Sequence, residues 1–158
     1  MSYYDRKYRT DDAGLRVFTT PDDHAAEDRA ARVIESAWRC KLHRFPHYNG
    51  VDWYAERAGM MVAVLELKTR SHDSTKHDTV WLNIRKWLAL GMARIGLGVP
   101  ALFVVQFTDQ LRYVDLGRIE ADKHRIAGCR KVVKSYTDVE PVIEVEVASM
   151  KLLTKGVS

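Results

Sequence analysis

The chain has 158 residues, 46% of them hydrophobic and 29% charged, with a formal net charge of +4. That length suits one domain around a single core, and that composition excludes wholesale disorder. No apolar run approaches the ~20 residues needed to cross a bilayer, and the polar, tyrosine-rich start is unlike a secretory signal. Cys40 and Cys129 form neither a C-x-x-C pair nor a zinc pattern, so free thiols in a reducing cytoplasm are expected. The mild positive charge is compatible with nucleic-acid binding, and solubility alone explains it equally well.

Residues 1–20 carry Arg6, Lys7, Arg9 and Arg16 among tyrosines and read as a basic arm, with Leu15–Thr19 a candidate edge strand. Pro21-Asp22-Asp23 starts a helix expected from Asp23 to Trp38. Its apolar stripe is Ala26, Ala30, Val33, Ile34, Ala37 and Trp38. Glu27 falls on that stripe, where a carboxylate costs several kcal/mol in principle unless something compensates it. Arg39–Phe45 alternates like a strand, and His47-Tyr48-Asn49-Gly50 reads as a turn.

A hairpin follows, Val51–Glu56 and Met60–Thr69, turning at Arg57-Ala58-Gly59. With the turn centred on Gly59, Asp52 lies opposite Glu66. Asp52, Tyr54, Val62, Val64, Glu66 and Lys68 then share one face, and Val51, Trp53, Ala55, Met61, Ala63, Leu65 and Leu67 the other. A one-residue slip would destroy this arrangement. Ser71–Asp78 reads as a mobile polar loop. A second helix is expected from Val80 to Ile95, with Trp81, Ile84, Leu88, Met92 and Ile95 as its stripe and Gly96, Gly98 and Pro100 as its stop. Ala101–Phe107 is a central strand, Leu111–Leu116 pairs with it, residues 117–138 are basic and irregular, and Val142–Val147 is a last, edge strand. The order predicts an α/β or α+β domain with a mixed sheet.

Read alone, Glu66-Leu67-Lys68 is compatible with a solvated strand end. Three observations point further. Asp52 has the separation of a cross-strand partner. Leu67 can enter the core and leave Glu66 and Lys68 together on the opposite face. Glu27 adds a carboxylate that its own helix does not explain. Carboxylates so grouped can hold a hard divalent cation, with a lysine beside it to steady a hydroxide or phosphate oxygen.

Glu27 on the first helix, Val51-Asp52 and Glu66-Leu67-Lys68 on a hairpin, then a helix and further strands, together resemble the PD-(D/E)XK nuclease superfamily. The resemblance covers about residues 22–107, with Val51 in place of that family's usual proline. In size and element order it is nearest to small phage and archaeal members such as Holliday-junction resolvases and VRR-type nucleases. It implies a restriction-endonuclease-like α/β core in αβββαβ order, a mixed central β-sheet flanked by helices. The whole chain, 1–158, would be one nuclease domain, with 1–20 an arm, 22–107 the catalytic core and 108–158 C-terminal strands and a basic loop.

By the same resemblance Asp52, Glu66, Lys68 and Glu27 are the catalytic residues. Asp52, Glu66, Glu27 and the carbonyl of Leu67 are the ligands of Mg²⁺, with Mn²⁺ as a substitute. A polar residue on the following helix joins the site in several members, and Lys86 is the candidate here. Tyr54, Arg70, Lys86, Arg130 and Lys131 are the candidate nucleic-acid contacts. Packing is the competing use of Tyr54, and solvation that of Lys86 and of the basic run containing Lys123, Arg125 and Lys134. The implied activity is Mg²⁺-dependent hydrolysis of DNA phosphodiester bonds, selective for branched, nicked or single-stranded structure. A cytoplasmic bacterial or phage setting, no membrane partner and a homodimer are expected with it.

Other readings stay open. The fold can serve as a non-catalytic nucleic-acid-binding module, or as a protein-interaction domain in which Glu66 and Lys68 form a surface pair. A zinc site from His43 and His47 with His72 or His77 is a weaker idea. Trp81 and Trp87 can stack on bases or fill the core. No Walker loop, G-x-G-x-x-G or serine-nucleophile motif is present.

Overall fold

The computed structural model describes residues 9–10, 16–17, 21–46, 49–119, 126–127 and 141–155. Its centre is a six-stranded mixed sheet, ordered β11-β8-β7-β5-β4-β3. These strands are β3 (Lys41–Arg44), β4 (Trp53–Arg57), β5 (Met60–Thr69), β7 (Ala101–Gln106), β8 (Gln110–Asp115) and β11 (Lys151–Lys155). Only β5 and β7 run parallel. They are also the strands buried on both faces, which explains their near-continuous apolar sequence.

Helix α1 (Pro21–Trp38) covers one face of this sheet. Pro21 suits a first helical position, and Asp22 and Asp23 complement the helix dipole. Its Ala30, Ala31 and Ile34 pack on Trp53, Ala55, Ala63, Leu65 and Leu67. The other face is covered by helix α2 (Ile84–Leu97) and a small antiparallel sheet, β6 (Thr79–Asn83), β10 (Val142–Glu146) and β9 (Ile126–Ala127). There Val64, Phe103 and Val105 meet Leu82, Leu90, Ile143 and Val145. Each large side chain so buried contributes roughly 1.5–3 kcal/mol. Two short strands, β1 (Arg9–Thr10) and β2 (Arg16–Val17), pair with each other.

The hairpin register places Trp53 opposite Leu65 and Tyr54 opposite Val64, as the sequence predicts, but by a different route. The turn is a two-residue one, with Ala58 at φ 51° and Gly59 at φ 77°. That alone would slip the pairing by one. A bulge between Ala55 and Glu56 restores it. Its cost is local: Met61 joins the α2 side and Val62 the α1 side, the reverse of the expected faces.

Other expectations need correcting. Thr79–Asn83 is a strand rather than the start of a helix, because it pairs with β10 and buries alternate residues, Val80 and Leu82. The expected α2 stripe is therefore rotated: Leu90 is buried, whereas Leu88, Met92 and Ile95 are exposed. Gly98, at φ 65°, caps α2 as expected. Val142–Glu146 is flanked on both sides instead of lying at an edge, and β11 follows it. The 71–78 loop is tied down: Ser74 is buried, and its amide and hydroxyl donate to Asp109 at 2.8 and 2.7 Å. Among the described residues no helix is long and apolar enough to cross a membrane.

Candidate active site

Asp52 ends the lead-in to β4, one residue before the first paired position. Two contacts fix it there. Its carbonyl accepts from the amide of Phe45 at 2.9 Å. Gly50, two residues earlier, packs so tightly on α2 that a Cβ would come within 2.7 Å of Ala89 Cβ. The hairpin thus brings Asp52 beside Glu66 of β5, and the glycine brings both toward α2.

Glu66 is 4% exposed in the middle of a buried strand. Lys86, in the first turn of α2, reaches down to the pair. Its Nζ donates to Asp52 Oδ1 and lies 3.1 Å from Glu66 Oε2. The second contact is off the hydrogen-bonding direction, so Glu66 Oε2 is buried without a hydrogen-bond partner. Burial, then the Asp52 carboxylate, pushes the Glu66 carboxyl up to about 8, against the partial opposition of Lys86 and Lys68. Asp52 moves the other way: burial would raise it, but a hydrogen bond with Glu66 and the two ammonium groups hold it below the usual range. Burial opposes the charge on Lys86, yet both acids more than offset this and raise its pKa. Of the pair, Glu66 is therefore the carboxyl that keeps its proton to higher pH.

Lys68 lies on the same face of β5. Its Nζ donates to the carbonyl of Trp81 at 3.3 Å and to Asn83 Oδ1 at 3.4 Å. Asn83 stands at the N-cap of α2, but its side chain makes no cap bond. It serves Lys68 instead of its own helix. Leu67 is buried on the opposite face, and its backbone lies beyond the last pair formed with β4, Trp53↔Leu65, while still pairing with Val104.

Glu27 is not brought to this cluster. It sits on α1, on the other side of the sheet, where Arg44 Nη1 donates to it at 2.8 Å and Arg44 Nη2 donates to Asp28 at 2.9 Å. Arg44 also lies over the Trp53 ring, 4.1 Å from its centroid. This arginine is the compensation that the helix stripe alone does not supply. Among the described residues no third His, Cys, Asp or Glu joins Asp52 and Glu66. Without Glu27 the cluster is two acids facing two lysines.

Tyr54 shares the Glu66 face but is held by rings, stacked on His43 at 4.9 Å and tilted against Phe45 at 5.0 Å. His43 itself pairs with Glu56 at 2.9 Å, and His72 meets His77 edge-on. Neither contact makes the zinc set, and His47 lies outside the described residues. So do Lys123, Arg125, Arg130, Lys131 and Lys134. Trp81 donates its indole N–H to Glu144 at 3.2 Å, and Trp87 packs against the core.

Arg70 lines a cavity of about 360 Å³ with Arg29, Arg32, Gln106 and Thr108. Arg29 and Arg32, three apart on α1, were not among the sequence candidates. Nor was Asn83, because the helix start was placed too early.

Residues 15–153 match the model of a family described as "Phage putative PDDEXK endonuclease". Among solved structures the chain is similar to Hjc, a Holliday junction resolvase of the archaeal hyperthermophile Archaeoglobus fulgidus. The TM-score is 0.51 at 12% identity, over 79% of this chain and 86% of that one. Identity this low carries the fold alone, and the shared fold is the expected restriction-endonuclease-like one. No curated protein matches the chain.

Proposed function

The chain belongs to the phage PDDEXK endonuclease family, and from that premise we propose a single-domain, Mg²⁺-dependent nuclease that hydrolyses DNA phosphodiester bonds with selectivity for DNA structure. One observation carries the reading: a buried glutamate whose inner oxygen has an ion pair with Lys86 but no hydrogen bond, beside a second carboxylate. Burying a carboxylate with so few donors around it is costly, which favours a site that a further cation completes. The donor set is all oxygen, which suits Mg²⁺ or Mn²⁺.

Asp52 and Glu66 would hold the ion, with the Leu67 carbonyl as a further ligand. Bound there, it would supply Lewis-acid polarisation of the scissile phosphate and a lowered pKa for an attacking water. Lys68, aimed by Asn83 and the Trp81 carbonyl, donates to the charge that builds on the phosphate oxygens. Arg29, Arg32 and Arg70, around a cavity beside α1 and away from the carboxylate pair, offer phosphate contacts. Glu27 we assign to joining α1 to β3 through Arg44. The exposed Leu88, Met92 and Ile95 support a homodimer; Met92→Glu should then sediment as a monomer, and an unchanged sedimentation coefficient would count against that interface.

The deciding assay incubates the protein with plasmid, single-stranded and four-way-junction DNA, each with Mg²⁺, Mn²⁺ or EDTA. Cutting should require the divalent ion and favour the junction or single strand. Cutting in EDTA, or by Glu66→Gln at the wild-type rate, would defeat the mechanism.

A further inference from the structure

The two lysines of the site have different partners. Lys68 Nζ reaches the Trp81 carbonyl and Asn83 Oδ1 at 3.3 and 3.4 Å. Lys86 Nζ bridges the acids, donating to Asp52 Oδ1 and lying 3.1 Å from Glu66 Oε2. A cation that both carboxylates could share has to reach the same oxygens. An ammonium and a divalent ion cannot both stand there, since at such separations like charges repel by several kcal/mol at protein-like screening.

We propose that Lys86 is the internal counter-ion of the carboxylate pair, holding Asp52 and Glu66 together in the metal-free protein and displaced when a divalent cation takes them. This rests on the metal-dependent reading above. Two features favour displacement over a static ion pair. Lys86 stands in the first turn of α2, at the positive pole of the helix, and that turn holds no acidic residue. Its charge is thus held there by the two carboxylates against the dipole. Its flexible four-carbon stem also emerges toward solvent, with the side chain 27% exposed against 6% for Glu66. Once the carboxylates are taken, no acid of that turn holds the ammonium, and its flexible stem lets it swing outward to solvent. By linkage, whatever removes Lys86 from the pair favours the metal, and the reverse.

The test measures Mn²⁺ binding to the full chain without DNA, by calorimetry, for wild type, Lys86→Met, Lys86→Gln and Lys86→Arg. Melting temperatures are taken in EDTA and in saturating Mn²⁺. Lys86→Met and Lys86→Gln should bind Mn²⁺ at least about fivefold more tightly, the lower end of coupling between competing ligands. Lys86→Arg should stay near wild type. In EDTA the two neutral variants should melt lower than wild type, and saturating Mn²⁺ should close that gap. Should Lys86→Met fail to fold, Lys86→Gln, which keeps hydrogen-bonding capacity without the charge, decides the matter. Unchanged or weaker Mn²⁺ affinity in the neutral variants, with wild type binding normally, would overturn displacement alone. No Mn²⁺ binding by wild type would overturn the metal-dependent reading, and displacement with it.

Discussion

Glu27 and Glu66 stand on opposite sides of the same sheet, each a carboxylate on an otherwise apolar surface and each facing a cation. At Glu27 the cation is Arg44, whose planar fork serves Glu27 and Asp28 at 2.8 and 2.9 Å and whose body rests on Trp53. The guanidinium geometry satisfies both acids, and its partial exposure keeps the desolvation cost low. At Glu66 the cation is a lysine that bonds Asp52 and leaves Glu66 Oε2 without a hydrogen bond inside the core. The difference separates a carboxylate that is finished by the fold from one that is not. An acid on an apolar stripe is therefore no sign of chemistry by itself; what matters is whether the protein supplies its full complement of donors.

Neutralising each acid is the sharpest way to break that contrast. Glu66→Gln should lower cleavage by at least about a hundredfold, more than the ten- to hundredfold that a supporting partner of a metal ligand costs. The metal-free fold should be kept, since it already favours a neutral group there. Initial rates on junction DNA read the first effect and a urea melt in EDTA the second. Comparable losses for Glu66→Gln and Glu27→Gln would erase the distinction.

The pH dependence follows with a definite sign. The folded Glu66 carboxyl titrates near 8, above its ordinary 4.5, so between those values the folded protein binds more protons than the unfolded chain. Stability in EDTA should therefore be highest at the acid side of this window and fall as pH rises toward 8, by at most about 1.4 kcal/mol per pH unit for one proton. Asp52, held low, acts in a separate, more acidic window: its contribution is present above the ordinary aspartate range and lost as pH falls through its folded value. Urea melts at pH 6 and pH 8 in EDTA measure the Glu66 effect. Glu66→Gln should flatten the difference, and Mg²⁺ should stabilise the wild type more at pH 8 than at pH 6.

Local pattern revealed the hairpin and its two carboxylates because alternation over β5 is strict near Glu66, and the cross-strand partner follows from the turn. The bulge was hidden, since Met61 and Val62 are both apolar and either parity reads well. The start of α2 was hidden for a related reason: Val80, Trp81 and Leu82 fit a period of two as well as 3.6 over so short a run. That misplacement concealed Asn83 and left Lys86 looking like a solvated residue. The Arg44–Glu27 pair spans 17 residues between a helix and a strand, a contact no periodicity carries. Lys151–Lys155 pairs with β8 from a sequence too short and mixed to announce a strand.

A middle-sized effect should come from Asn83→Ala. If Asn83 orients Lys68, the variant should lose about tenfold in kcat, within the range for a supporting contact, with Mn²⁺ affinity unchanged because neither carboxylate is touched. Asn83→Asp, which keeps the acceptor, should recover most of the rate. Equal loss in both variants, or a shift confined to KM, would mean that the 3.4 Å contact does not guide Lys68.

The smallest effect belongs to the finished pair. Glu27→Gln leaves an amide oxygen that can still accept from Arg44, and Arg44 retains Asp28 and the Trp53 face. Partly exposed ion pairs contribute about 0–1 kcal/mol, so the midpoint of a urea melt should shift by no more than that, and more in low salt than in high. Cleavage should stay within about threefold, because a change this size reaches the reaction only by altering how α1 sits on β3. Arg44→Ala should cost more stability than Glu27→Gln, since it strips two carboxylates and an aromatic ring of one shared partner. If Glu27→Gln instead removes cleavage while leaving the melt untouched, then Arg44 merely parks Glu27 beside a site that it enters when the cation is bound, and the two faces of the sheet act together.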